Sequence, residues 1–462
     1  MKEGIKLKLK FSKEADLGHE KVSSLLFKLA LPAILSQVVN ALYNMVDRMY
    51  IGHIPGVGAS ALTGLGVAFP LIMLISAFAY LFGMGGAPLA SIAMGKGKQD
   101  EAENILGNCF ILLLASAIVL TITTLVFNEQ LLYLFGASAN TITYAKDYME
   151  IYALGTIFVV LTLGLNNFIS AQGFSMISMF TVCIGALSNI ILDPIFIYLF
   201  DMGVKGAALA TILSQALSAF FALWFLLSKH TTLKLKKAYF KLRSSLVFSS
   251  IALGIAPFIM QATESALVLC FNSSLLKYGG DIAVGAMTIL SSLMQFTLLP
   301  LQGLTQGSQP IISFNYGAKN ASRVKECFKF VLMTCLSYTF LAWLLIIFAP
   351  NIPISIFTSD SALSSYTVWA IRIYMAGVFL MGAQIACQQT FVAFGNSKIS
   401  AFLAAFRKII LLIPLIYILP NFFEDKVMAI FLAEPLADTL AVLVTVTLFA
   451  KSFKELLKEM ES

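Results

Sequence analysis

KHTTLKLKKAYFKLR, residues 229–243, is the longest polar stretch in the interior of the chain, and it carries six lysines and arginines. On both sides of it lie apolar runs of roughly twenty residues, the length an α-helix needs to cross a bilayer. Towards the N-terminus there are six such runs, near 25–50, 61–83, 105–127, 148–170, 176–199 and 206–228. Towards the C-terminus there are six more, near 246–271, 283–306, 328–349, 368–391, 399–419 and 427–450. The polar stretch is therefore read as a linker between halves. The sequence predicts an all-α membrane protein of twelve transmembrane helices in two pseudo-symmetric six-helix lobes. Its expected divisions are a tail (1–24), an N-lobe (25–228), a linker (229–245), a C-lobe (246–450) and a second tail (451–462).

Composition supports this reading. Of 462 residues 59% are apolar and only 12% are charged, against about a quarter charged in soluble domains. The formal charge of +7 could in principle signal nucleic acid, so the placement of the charges has to decide. Twenty-five of the 31 basic residues fall on one side of the twelve runs. The other side has Arg48, Lys146, Lys205, Lys277, Arg372 and Lys426. By the positive-inside rule both termini are expected in the cytoplasm, with the chain multi-pass in the cell membrane. The basic residues are spread over short loops and tails without a recognition motif, so no nucleic-acid partner is expected. The first apolar run follows about 24 polar residues and ends without a cleavage pattern, which argues against a signal peptide. The six cysteines form no CxxC pair and are read as small apolar residues.

The halves repeat one another. A shift of 225 residues sets Pro32 on Pro257, Ala61 on Ala286 and Thr63 on Thr288. After a three-residue gap, a shift of 222 sets Pro88 on Pro310, Gly95 on Gly317, Tyr152 on Tyr374, Gly155 on Gly377 and Gly173 on Gly395. A register held over this length indicates a duplicated unit. Six spans per unit give both copies one orientation, the parallel kind of repeat found in alternating-access transporters. There is no GxxxxGK[ST] phosphate loop and no HExxH, so neither ATP-driven transport nor an enzyme is expected.

Charges within spans cost about 2.5–3.5 kcal/mol each at the bilayer centre, so each needs an account. Asp47 lies roughly 28 Å along the first span and Asp193 roughly 25 Å along the fifth, counted at about 1.5 Å per residue; both fall in the outer third. Asn189 and Asp193 are i and i+4, as are Tyr43 and Asp47, with Asn40 and Gln37 continuing that stripe. Pro194 removes an amide donor and leaves the carbonyl of Ile190 without its usual partner. Pro32 offers the first span a kink, and Thr211 sits at compatible depth. Carboxylate, amide and hydroxyl oxygens suit a hard cation such as Na⁺, and neighbouring carboxylates also suit a proton. A plainer reading leaves Asp47 at the interface beside Arg48 and Asp193 at a helix break. In the second half Arg407, Lys408, Glu434 and Asp438 reach similar depths, which predicts a buried ion pair and a latch. Glu264 is read either as a second ion ligand or as a partner of Arg372. Tyr148, at a span mouth, is a candidate substrate contact.

Several of these segments look familiar together: LALPAILSQ (29–37), ALYNMVD (41–47), LSNIILDPIF (187–196), MGVKGAALAT (202–211), the element Tyr316 to Lys319 and EPLAD (434–438). Over nearly its whole length the chain resembles the multidrug and toxic compound extrusion (MATE) transporters. The resemblance implies antiport of organic, often cationic, compounds against Na⁺ or H⁺, with no other cofactor, through a V-shaped pair of lobes. It implies cation coupling at Asp47, Asn189, Asp193 and Thr211, and substrate contacts at Asn40, Tyr43, Tyr148 and Asn166. Glu264 occupies the place where another branch keeps a C-lobe cation ligand, but the tenth span offers only Gln384 and Gln388 beside it. Small organic molecules and membrane lipid are the expected partners, and the chain is expected to act as a monomer. The nearest rival is a lipid-linked saccharide flippase of the same wider superfamily. Fourteen spans and a basic cavity are usual there.

Overall fold

The computed structural model describes residues 15–357 and 360–461. Lys2, Lys6, Lys8, Lys10 and Lys13 of the expected tail lie outside the described residues. In the first half the helices are α1 (Val22–Gly52), α2 (Gly58–Gly95), α3 (Gln99–Val126), α4 (Asn128–Leu134), α5 (Ile142–Leu154), α6 (Thr156–Ala171), α7 (Ser175–Pro194) and α8 (Gly203–Leu227). The second half has α9 (Ser244–Gly317), α10 (Ala321–Phe348), α11 (Asn351–Ser355), α12 (Ser361–Tyr374), α13 (Val378–Ala393), α14 (Ser397–Ala405), α15 (Ile413–Ile418) and α16 (Lys426–Glu461). In lipid every backbone amide must find its partner within the segment, and helices meet that demand.

Among the described residues nine helices are long and apolar enough to cross a membrane, and eleven spans result if each of two bent pairs counts as one. The sequence predicts twelve. The difference lies in α9, whose 74 residues would run to about 110 Å as one rod, against an apolar bilayer thickness of about 30 Å. It breaks at Gly280 (φ 66°, ψ −164°) into arms 244–279 and 281–317. A side chain there would be strained, so the break sits at a glycine.

The duplication is visible element by element. In each half a long helix is followed by a short one (α3 then α4, α10 then α11) and then by a bent pair. The bend is 60° between α5 and α6, at Gly155, and 49° between α12 and α13, at Gly377. Gly173 and Gly395, matched in the sequence register, both turn with positive φ, 90° and 72°. Lys319 (φ 57°) stands where the first half has Gly97 (φ 71°), so the turn is kept although the glycine is not.

The halves meet near the ends that carry the basic loops. A Cβ on Gly95 would collide with the backbone of Phe314, and one on Gly317 with the backbone of Ile92. These two contacts exchange under the 222-residue shift, so they straddle a pseudo-two-fold axis. Gly85 meets Ser250 and Gly254 of α9 in the same backbone-to-backbone way, and Gly303 and Gly307 meet Ile34 and Ala30 of α1. Absence of side chains lets helices approach to the distance at which dispersion holds them, the usual device where lipid removes the hydrophobic drive. Farther out, Gln37 donates to Gln306 (3.1 Å) and Phe78 meets Phe258 edge-on at 5.1 Å.

The linker is bound to the first half by buried amides. Gln172 Oε1 accepts from Thr231 Oγ1 (2.8 Å), Thr232 N (3.0 Å) and Leu233 N (2.8 Å). Asn108 donates to the carbonyls of Tyr239 and Lys241 and accepts from Arg243 N (2.7 Å). Lys236 pairs with the buried Glu103, and that hydrogen bond holds its ammonium above the ordinary lysine range. Gln172→Ala removes the side-chain acceptor of the Thr232 and Leu233 amides, while Thr231 keeps Leu233 O (3.0 Å), at a cost of about 1–3 kcal/mol. Trypsin should therefore cut the variant within 229–243 several times faster than the parent; equal cleavage rates would refute the clamp.

Candidate functional site

Two polar clusters lie within the helices, one in each half. The first is built by α1, α7 and α8. Asp47 is 8% exposed, Asn189 1% and Asp193 0%, and i to i+4 spacing puts Asn189 and Asp193 on one face of α7. Asn189 Nδ2 donates to Asp193 Oδ1 (3.2 Å) and approaches Thr211 Oγ1 of α8 (3.5 Å). Thr211 gives its hydroxyl hydrogen to Ala207 O (3.0 Å), which leaves its lone pairs for the cluster. The carboxyls of Asp47 and Asp193 come within hydrogen-bonding reach of one another. Immediately after Pro194 the chain makes a π-helical turn, Ile195–Leu199, and Tyr198 of that turn donates to Tyr50 O of α1 (2.7 Å). This ties the outer end of α1 to α7, so the two aspartates are positioned by one strap.

Asp47 Oδ1, Asn189 Oδ1 and Asp193 Oδ2 are buried and have no hydrogen-bond donor. Three acceptor oxygens with two adjacent carboxyls suit a proton or a monovalent hard cation, because either one removes the repulsion and supplies the missing positive partner. Among the described residues no group of three or more His, Cys, Asp and Glu is gathered as for a multivalent metal. Arg48, next along the chain, is exposed and lies over the Phe69 ring at 4.8 Å.

The wall beside the carboxyls is aromatic. Tyr43 and Tyr148 both lie close enough to Asp47 to interact with its charge, and Tyr80 adjoins Tyr43. Tyr148 and Tyr152 stack with centroids 5.9 Å apart. Gln215, near Tyr43, keeps a buried Oε1 without a donor. Two tyrosines beside an acid, backed by two more, are suited to an organic cation. Sequence reading missed Tyr80, Tyr152 and Gln215. Tyr152 follows Tyr148 by four and Gln215 follows Thr211 by four, so helical spacing held the signal for both. Asn40 lies two turns below Asp47, about 10 Å along α1. Asn166 lies apart from this cluster: its amide donates to Ser178 O (3.3 Å), and Ser178 is about 22 Å along α7 from Asp193.

The second cluster joins α9, α16 and the π-helical segment Phe406–Leu412 between α14 and α15. Arg407 donates through Nε to Asp438 Oδ1 (2.7 Å) and through Nη2 to Glu434 Oε1 (2.8 Å). Lys408 donates to Met260 O (2.8 Å) and pairs with Glu264. Glu264 thus meets Lys408, not Arg372. Gln388 reaches the Met260 sulfur at 3.5 Å, and Gln384 is buried.

Comparison with known proteins follows the same outline. The family model described as MatE matches residues 32–195 and 257–418. These segments begin at Pro32 and Pro257, the pair related by the 225-residue shift, and together exceed half of the chain. The multidrug export protein MepA of Staphylococcus haemolyticus (strain JCSC1435) is 25% identical over 421 residues, covering 91% of this chain and 92% of that protein. A crystal structure of MATE in a bent conformation superposes with a TM-score of 0.90 at 21% identity, covering 98% of this chain and 100% of that one. The straight conformation gives 0.89 at 21% identity, with 97% and 99% covered. At that identity the structural likeness speaks for the fold. With the doubled family match spanning both halves, the chain belongs to the MatE family of multidrug and toxic compound extrusion transporters, which are carriers and not enzymes.

Proposed function

We propose that the protein is a secondary antiporter that exports organic cations in exchange for Na⁺ or H⁺ by alternating access. The observation that carries this reading is the convergence of donor-less oxygens from Asp47, Asn189 and Asp193 beside a tyrosine wall. On this reading the arms of α9 count as separate spans, the twelve spans form two six-helix lobes, and the chain is multi-pass in the cell membrane with both termini cytoplasmic. The relative MepA is a multidrug export protein, which supports export of drug-like molecules. An acidic, aromatic pocket in the first lobe favours a cationic cargo over the lipid-linked saccharide of a flippase.

Contacts between the lobes gather on the basic side, so this arrangement is the outward-facing one, closed to the cytoplasm. An ion entering from outside takes up one of the two negative charges of the Asp47 and Asp193 pair, and the hold on a cationic substrate weakens at the same moment. Ion and substrate thus favour different states and exclude one another, as coupling requires. Tyr198 passes the change at α7 to the outer end of α1, and Pro32, in the inner third of the same helix, lets it bend without breaking a further hydrogen bond.

The test is reconstitution in vesicles with an imposed Na⁺ or pH gradient and a lipophilic cationic dye as cargo. Dye movement should follow one of the two gradients and stop when an ionophore collapses it. Movement indifferent to both gradients would overturn the antiport reading, and ion conduction without exchange would make the protein a channel.

A further inference from the structure

The C-lobe cluster is one positive charge short. Three carboxylates (Glu264, Glu434, Asp438) face two cations (Arg407, Lys408), and all five lie in spans or against them. Both cations are already engaged within it. Lys408 is committed to Glu264 and to Met260 O, and Arg407 divides itself between Asp438 Oδ1 and Glu434 Oε1. Asp438 Oδ2 remains buried without a donor, on a residue only 1% exposed, and Glu434 is 5% exposed. Tyr374 of α12 faces the same acids. Glu264 is 59% exposed and pairs with Lys408, so the uncompensated charge rests on the buried Glu434 and Asp438, which share one guanidinium; buried charges persist only where they are paired.

We propose that this cluster is a proton-binding site, with one proton from solution held between Glu434 and Asp438. These acids are i and i+4 on α16, one turn apart on the face that both turn to the same guanidinium. The proton becomes the hydrogen of a carboxyl O–H that reaches the neighbouring carboxylate, and the cluster is then neutral. A metal cation in the same place would stand against the fixed charge of Arg407. The spans involved support the assignment: α9's first arm, the α14–α15 span and α16 are the repeat equivalents of α1, α7 and α8, which build the first-lobe cluster. In both lobes the polar residues stand at a π-helical turn, a feature frequent at functional sites. The site adds a second ion-holding position to the proposed function, and its test does not depend on transport.

The experiment is infrared spectroscopy of the purified full chain at neutral pH, reading the carboxylic-acid C=O band identified by its shift in D₂O. Asp47→Asn with Asp193→Asn removes the first-lobe acids and serves as the background. The expected result is a protonated-carboxyl band in that background and its loss when either Glu434→Gln or Asp438→Asn is added. The remaining acid then pairs with Arg407 as a carboxylate. Absence of the band from the background overturns the proposal, as does a band that survives both additions. Neither amide changes the charge the cluster is proposed to carry, so both variants should stay monodisperse. Loss of folding in both also overturns it.

Discussion

Asp47→Asn is expected to lower gradient-driven export by roughly 5- to 150-fold, the range spanned by a coupling free energy of 1–3 kcal/mol, in a protein that remains folded. The amide keeps the size of the side chain and its place beside Tyr43, but it cannot take up a proton or lend charge to a cation. Its two forms in the cycle become one, and the ion gradient then has nothing to act upon. Asp193→Asn should do the same, because Asn189 and Asp193 act on the ion together with Asp47 as one unit. The double variant should be no worse than either single one, since residues acting as a unit are not additive. Binding of a cationic dye to the purified variant separates the loss of coupling from the loss of cargo affinity. Undiminished export by Asp47→Asn would place the coupling site elsewhere.

How far the sequence disclosed this site follows from what each signal measures. Depth along a span is set by counting residues from the membrane edge, and i, i+4 spacing sets which residues share a helix face. Together they bring Asn189, Asp193 and Asp47 to one level, where the structure has them. Neither signal reports how a helix is rotated towards its neighbours. For that reason Tyr80 goes unseen, and of the two readings of Glu264, a second ion ligand or a partner of Arg372, the second is replaced by pairing with Lys408. The fold was legible for a related reason. Bilayer thickness dictates the length of each apolar run, and glycines held at bends and positive φ kept the repeat register readable at Gly155, Gly377, Gly173 and Gly395. The π turns were not legible, because they arise from packing between helices and leave no periodic trace.

Gly95→Val is expected to displace the equilibrium away from the outward-facing state. The hydrogen it replaces faces the backbone of Phe314, and a main chain cannot step aside as a flexible side chain can. Overpacking of this kind costs about 1–3 kcal/mol. That cost falls only on the state in which the basic-side ends of α2 and α9 touch, so the ratio of the two states should shift by roughly 5- to 150-fold. Gly317→Val, its partner across the pseudo-two-fold axis, meets Ile92 in the same way and should shift the ratio in the same direction. Gly66→Ala is the control, since a Cβ there has open space around it. Spin labels at the exposed positions 140 and 281, on the outer ends of the two lobes, report the change as a distance. In both valine variants the outer ends should approach each other, whereas the control keeps the parent's distance. If the distances are unchanged in both valine variants, the glycine contacts do not discriminate between the states. If the outer ends close as expected, the duplicated unit sets its access equilibrium at a backbone crossing, while the polar clusters farther out set which ions it answers to.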